Sequence, residues 1–283
     1  MKHVPSLLSA VVIALAVPTA PAALVTFEAT GADPASITPA RDAFRAAVGG
    51  GTVAGANGSF GGLRHEINWD GLPADKSDPN LFPADFFNTT SPRGVVFSTP
   101  GTGFLVSANA GGPVNPLFGF PSDFQAFSPQ KLFTPINSNV TDVSFFLPGT
   151  TTPATTSAFG LIFTDVETAG ITKLEFFDPS DTLIYSRDAL VSGNQGLSFL
   201  GALADAGEQI SRVRITSGLN TIVSNGILGN PNDDVVVMDD LIYATPVAVP
   251  EPATALFGLA LIGFITAGRR RNLRTCEDAQ GGC

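Results

Sequence analysis

The chain has 283 residues, with 25 acidic against 15 basic side chains, a formal charge of −10 and 44% hydrophobic residues. So acidic a surface repels phosphate backbones and anionic headgroups, which excludes nucleic acid as a partner and leaves divalent cations and neutral glycans compatible. Both cysteines, Cys276 and Cys283, lie at the far C-terminal end, so the body has neither a disulfide framework nor a thiolate metal centre.

In chain order, the first segment reads as an export signal. Lys2 and His3 make a basic start, residues 7–17 are an apolar stretch, and Ala20-Pro21-Ala22 is a small-residue cleavage site. Residues 1–22 are therefore expected to be removed as a signal peptide. A retained N-terminal anchor is the alternative, against which the apolar core is short. Residues 23–247 are the expected ectodomain, with ten basic against 22 acidic residues, a formal −12.

Within the ectodomain, a strand is predicted at 25–28. A helix follows, with Thr38 as N-cap, Pro39 in its first turn, residues 40–48, and Gly49-Gly50-Gly51 as the stop. Further strands are predicted at 94–99, 103–108, 140–147, 158–166, 171–178, 182–186, 197–202, 209–217 and 235–243, where Val, Ile, Phe and Thr runs are bounded by Gly, Pro and Asp. The turn Asp178-Pro179-Ser180-Asp181 predicts a hairpin between two of them. Residues 109–133, rich in Pro, Gly and Phe, have no period and read as a long loop or a set of β-arches. The expected class is all-β: a jelly-roll-like β-sandwich with one short N-terminal helix, followed by a single C-terminal transmembrane helix. Residues 247–250 read as a short stalk.

After the stalk come Pro250-Glu251-Pro252, an uncharged apolar run over 253–268, and Arg269-Arg270-Arg271. The run gives about 24 Å of helix against a hydrocarbon core of about 30 Å, and snorkelling arginines extend its reach. Lys/Arg excess marks the cytoplasmic side, which places the rest of the chain outside and residues 272–283 as a cytoplasmic tail. A buried core helix is the competing reading of the apolar run. The ordered trio over 249–271 resembles the PEP-CTERM sorting signal of exopolysaccharide-producing Gram-negative bacteria. That resemblance implies recognition by an exosortase, a membrane-embedded transpeptidase-like protease. It makes Pro250, Glu251, Pro252, Arg269, Arg270 and Arg271 recognition residues, and the exopolysaccharide or biofilm matrix the destination.

The chief chemical anomaly in the body is Asp239-Asp240 inside an apolar strand. Strict alternation puts the two carboxylates on opposite faces, so one of them must be buried and compensated. Glu28 closes the first strand in the same way. Acids on the first and last strands loosely resemble carbohydrate-binding jelly rolls that seat a structural calcium there, and they suggest a Ca²⁺ site of Glu28 and Asp240 with Asp239 as third ligand. A carboxylate bonded to backbone N–H groups at a sheet edge is the plainer alternative. Asp233-Asp234 reads as a solvated turn.

The segment from Arg64 to Gly71 holds His65, the ectodomain's one histidine, and Trp69, its one tryptophan. His65-Glu66 begins like a zinc-protease helix, but Trp69 stands where the second histidine belongs. Trp69 fits either a sugar-stacking ligand contact or core packing. Ser198 lacks the closing glycine of a nucleophile elbow. Glu66 with Asp70, or Asp165 with Glu167, are the acid pairs a glycosidase would need. The expected function is thus a non-catalytic, exported matrix protein that binds glycan, with a secreted polysaccharide hydrolase and a purely structural surface protein as alternatives.

Overall fold

The computed structural model describes residues 24–112, 115–223, 226–227, 230 and 232–249. The expected signal peptide, Pro250, Glu251, Pro252, the apolar span, the three arginines and the cysteine-bearing tail lie outside these residues. Among the described residues, no helix is long and apolar enough to cross a membrane. Strand accounts for 39% and helix for 14%, which makes the body all-β.

The strands are β1 (Leu24–Gly31), β2 (Ser59–Phe60), β3 (Arg64–Ile67), β4 (Val95–Ser98), β5 (Gly103–Val106), β6 (Phe133–Ile136), β7 (Val140–Phe145), β8 (Ala154–Thr155) and β9 (Ala158–Thr164). They continue with β10 (Lys173–Phe177), β11 (Leu183–Asp188), β12 (Leu197–Ala204), β13 (Arg212–Thr216), β14 (Ile222–Val223), β15 (Gly226–Ile227), β16 (Val237–Ala244) and β17 (Val247–Ala248). All ten predicted strands are present. The larger sheet runs β1-β12-β9-β16-β6-β14-β15, with β3 on β16, β2 on β3 and β5 on β6; the smaller runs β11-β10-β13-β7-β4.

The two sheets share one core. Leu174, Phe176, Val213, Ile215, Val143 and Phe145 of the smaller sheet pack against Phe159, Leu161, Phe163, Leu200, Met238 and Tyr243 of the larger. The alternating burial of β7, β10 and β13 is that of strands with one wet face. By contrast β9 is buried at every position. Its second face is covered by a helix, α1 (Pro34–Val48), through Ile37 and Phe44 packed on Ala158, Ile162, Leu197 and Phe199. Gly160 and Gly201 face one another across β9 and β12 and leave the floor for Phe44: a Cβ at either would stand 3.0 or 3.2 Å from that ring.

The helix α1 starts earlier than its sequence suggests. Asp33 is the N-cap, its Oδ1 accepting from the N–H (2.9 Å) and hydroxyl (2.7 Å) of Ser36, with Pro34 in the first turn. Thr38 is interior, and its hydroxyl donates back to the Pro34 carbonyl. Two Asx/Thr-Pro pairs compete in this stretch, and the one with a serine three residues on wins. The predicted stop holds, with Gly49 at φ +94° and its N–H on the Arg45 carbonyl.

Edges are closed by side chains. Thr26 and Glu28 share one face of β1 and meet Tyr185 and Arg187 of β11, through a 3.0 Å hydroxyl contact and a two-pronged ion pair of 2.6 and 3.0 Å. The expected stalk at 247–250 does not begin at Val247, because β17 pairs with β8.

Candidate functional site

The two segments singled out by sequence, around His65 and around Asp239, are neighbours in the larger sheet. β3 pairs antiparallel with β16, placing Ile67 opposite Leu241, Glu66 opposite Ile242 and His65 opposite Tyr243. On the other side of β16, Met238 pairs with Phe163 but Leu241 pairs with Leu161. Asp239 and Asp240 together therefore oppose the one residue Ile162, which is a β-bulge. The bulge overturns the alternation argument: the two carboxylates are not split between faces, and one hydroxyl, that of Ser128, reaches both.

Around this bulge the chain builds a sealed polar knot. Asp239 is fully buried; its Oδ2 accepts from the N–H groups of Phe127 (2.6 Å) and Ser128 (3.3 Å). Ser128 Oγ lies 3.2 Å from Asp239 Oδ1 and 2.9 Å from Asp240 Oδ1, and it accepts from the Asn68 amide. One hydroxyl proton cannot serve both carboxylates at once. Burial, and then the charge of Asp240, pushes Asp239 well above the usual carboxylate range. Asp240 is raised by burial too, opposed by Ser128, Asp239 and the Arg45 guanidinium. Nearby, Asp70 Oδ1 accepts from the N–H groups of Gln130 and Lys131.

These contacts explain the long aromatic loop. Residues 107–132 have their own small core of Phe124 and Leu132 against Val235 and Val237. The loop is strapped over the sheet by Thr164 at Gln125, Asp239 at Phe127 and Ser128, and Asp70 at Gln130 and Lys131. Lys131 anchors its end: the buried ammonium donates to the Leu72 carbonyl and to Ser77 Oγ at 3.1 Å, and burial lowers its pKa.

Beside the knot lies an open groove of about 730 Å³ between α1 and the β2–β3 hairpin, lined by Arg41, Asp42, Arg45, Phe60 and Arg64. Arg45 and Arg64 clamp Glu66 from two sides. Arg64 also donates to the carbonyls of Arg45, Gly49 and Gly51, closing the C-terminal end of α1, and its guanidinium lies 4.4 Å from the Phe60 ring centroid. Arg41 lies 4.7 Å over Phe127, which ties the helix to the strap.

Several residues that stood out in the sequence have other roles in the fold. Glu28 does not join Asp239 and Asp240: β12 and β9 intervene, a separation of about 14 Å at the usual strand spacing, and Arg187 holds it. Among the described residues, no three carboxylates or imidazoles are grouped to hold a metal, so the three-acid calcium site does not fit this geometry. Trp69 is fully buried, stacked 4.2 Å from Phe133, with Nε1 donating to the Asp239 carbonyl at 3.0 Å; it is core and supports the bulge, with no face for a sugar. His65 is buried against Tyr243, contacts the Asn57 carbonyl, and is lowered in pKa chiefly by burial; Ser59 is its cross-strand neighbour, but no hydrogen bond joins them among the described residues. Ser198 is buried within β12. Glu66 is committed to Arg45 and Arg64, and Asp70 to the strap. Asp165 leaves the strand at φ +73°, so it does not share a strand face with Glu167, and Asp234 is buried and not a solvated turn.

Ser128, Arg45 and Lys131 carry no local motif, and sequence reasoning passed over them; their partners Asp240, Glu66 and Leu72 lie 112, 21 and 59 residues away in the chain. No curated protein matches the chain. Residues 248–271 match the PEP-CTERM protein-sorting motif, which indicates an exosortase-sorted extracellular protein, and the chain is accordingly a carrier of the PEP-CTERM sorting signal.

Proposed function

We propose that the exported body is a non-catalytic, jelly-roll-like binding protein of the extracellular polysaccharide matrix, and that the groove beside α1 takes an acidic glycan. The observation that carries this is a reversal of charge. In a chain of formal −10, Arg41, Arg45 and Arg64 converge on one groove with Phe60, and the local balance stays positive even though Asp42 and Glu66 pair with them. Guanidinium groups pair with carboxylates in forked geometry, and an aromatic face suits the apolar side of a sugar ring. At about 730 Å³ the groove is of the size that ordinary small-molecule sites have.

A hydrolase reading is weaker. Of its acid pairs, Glu66 is clamped by two arginines and Asp70 holds the strap, while Asp165 leaves the strand at φ +73° and does not share a face with Glu167. A glycosidase needs one carboxyl free to protonate the leaving oxygen and another free to attack or activate water.

The test is binding of the full chain, purified in detergent, to a uronic-acid polysaccharide and to a neutral glucan, with released reducing ends measured in parallel. Salt-sensitive binding to the acidic polymer alone, weakened about tenfold in Arg41→Gln, is the expected result. Released sugar overturns the non-catalytic reading. Failure to bind either polymer leaves a purely structural surface protein.

A further inference from the structure

A second acidic group stands apart from the groove, where the loops after β9, after β11 and before β16 meet. Asp165 follows the last residue of β9, with its Oδ1 accepting the Gln195 N–H at 2.9 Å. Asp234, 4% exposed, accepts the N–H groups of Glu167 (3.1 Å) and Thr168 (2.7 Å) on Oδ2. Its other oxygen, Oδ1, is buried and has no partner at hydrogen-bond geometry among the described residues, although the Thr168 hydroxyl lies close enough to the carboxylate to lower its pKa. Asp234, Glu167 and Asp123 are all near enough for their charges to act on Asp165. No lysine or arginine among the described residues forms an ion pair with any of the four.

A buried carboxylate oxygen without a donor costs about 1–3 kcal/mol or more, so it calls for a proton or a cation. We propose that Asp165 and Asp234 form a site for one hard divalent cation, calcium by preference, that staples these loops once the protein is outside the cell. Oxygen donors with no imidazole or thiolate select a hard ion, and calcium tolerates an irregular shell. Since no three carboxylates group together, water completes the shell and the affinity falls in the range of extracellular modules, about 10⁻⁴–10⁻³ M. Burial, reinforced by the neighbouring acids, holds Asp165 up at about 7.

The test is calorimetric titration and thermal melting of the EDTA-treated full chain in detergent, with calcium and with magnesium. Calcium is expected to bind saturably and raise the melting temperature. Asp165→Asn and Asp234→Asn each weaken it about tenfold or more, while Glu28→Gln binds as the parent does. Asp165→Asn keeps an acceptor for the Gln195 N–H, so it remains informative if Asp234→Asn does not fold. No calcium response at about 10 mM overturns the proposal, as does a response equal for magnesium or unchanged in Asp165→Asn.

Discussion

Two acidic knots, built from the same residue types, differ in how they are satisfied. At the bulge, Asp239, Asp240 and Asp70 face two amide N–H pairs and the Ser128 hydroxyl, and every contact fastens the strap. At the loop end, Asp165 and Asp234 also take backbone N–H groups, but one buried oxygen is left over. The first knot fastens the strap, although its Ser128 hydroxyl has one proton for two carboxylates. The second keeps one buried Asp234 oxygen without a partner among the described residues. Carboxylate density alone does not separate them; the buried oxygen left without a partner does.

The contrast is broken most sharply at Asp239. Asp239→Ala strips the strap of two N–H acceptors at a fully buried position, and a loss of about 3 kcal/mol is expected, roughly 6–12 °C in melting temperature for a body of this size. Calcium should not restore it. A loss below about 0.5 kcal/mol in a denaturant titration would show that the strap does not depend on this carboxylate.

An intermediate effect is expected from pH. Asp165 at about 7, with Asp234, Asp239 and Asp240 also raised, binds protons in the folded state that the unfolded chain releases near pH 4. Stability is thus greatest below about pH 4 as far as these groups go, and it falls as pH rises toward 7. Asp165→Asn should flatten part of that fall and melt higher than the parent at pH 8 in EDTA. Identical pH profiles for the two proteins would remove Asp165 from the account.

The smallest effect is expected at Glu28, whose Arg187 partner is half exposed. Glu28→Gln should cost about 0.2–1 kcal/mol, diminishing in high salt. A loss several times larger, insensitive to salt, would mean that the pair does more than close a sheet edge.

Strand positions were legible because Lys173–Phe177 and Arg212–Thr216 alternate polar and apolar residues, a local pattern that survives into the structure. The buried second face of the larger sheet was less so. Gly160 and Gly201 read as weak points in strands, and their purpose appears only once Phe44 lies across them. The Asp239-Asp240 anomaly was visible, but its geometry was not: a bulge is a property of two strands, and β9 lies more than seventy residues upstream of β16. Trp69 was undecidable from sequence for a similar reason, since Phe82, Phe87 and Phe133 surround it from distant segments.

The pairing of β17 with β8 bears on how an exosortase meets the sorting signal. Ala248 is held in a ribbon on the body, and the Pro-Glu-Pro tripeptide begins two residues later. At about 3.3 Å per residue, the leash between globule and scissors is less than about 10 Å long. An exosortase reading that tripeptide has no room to reach around a folded domain far wider than the gap. Access to it therefore calls for either a lip on the enzyme that fits against this end of the body, or the peeling of a strand only two residues long.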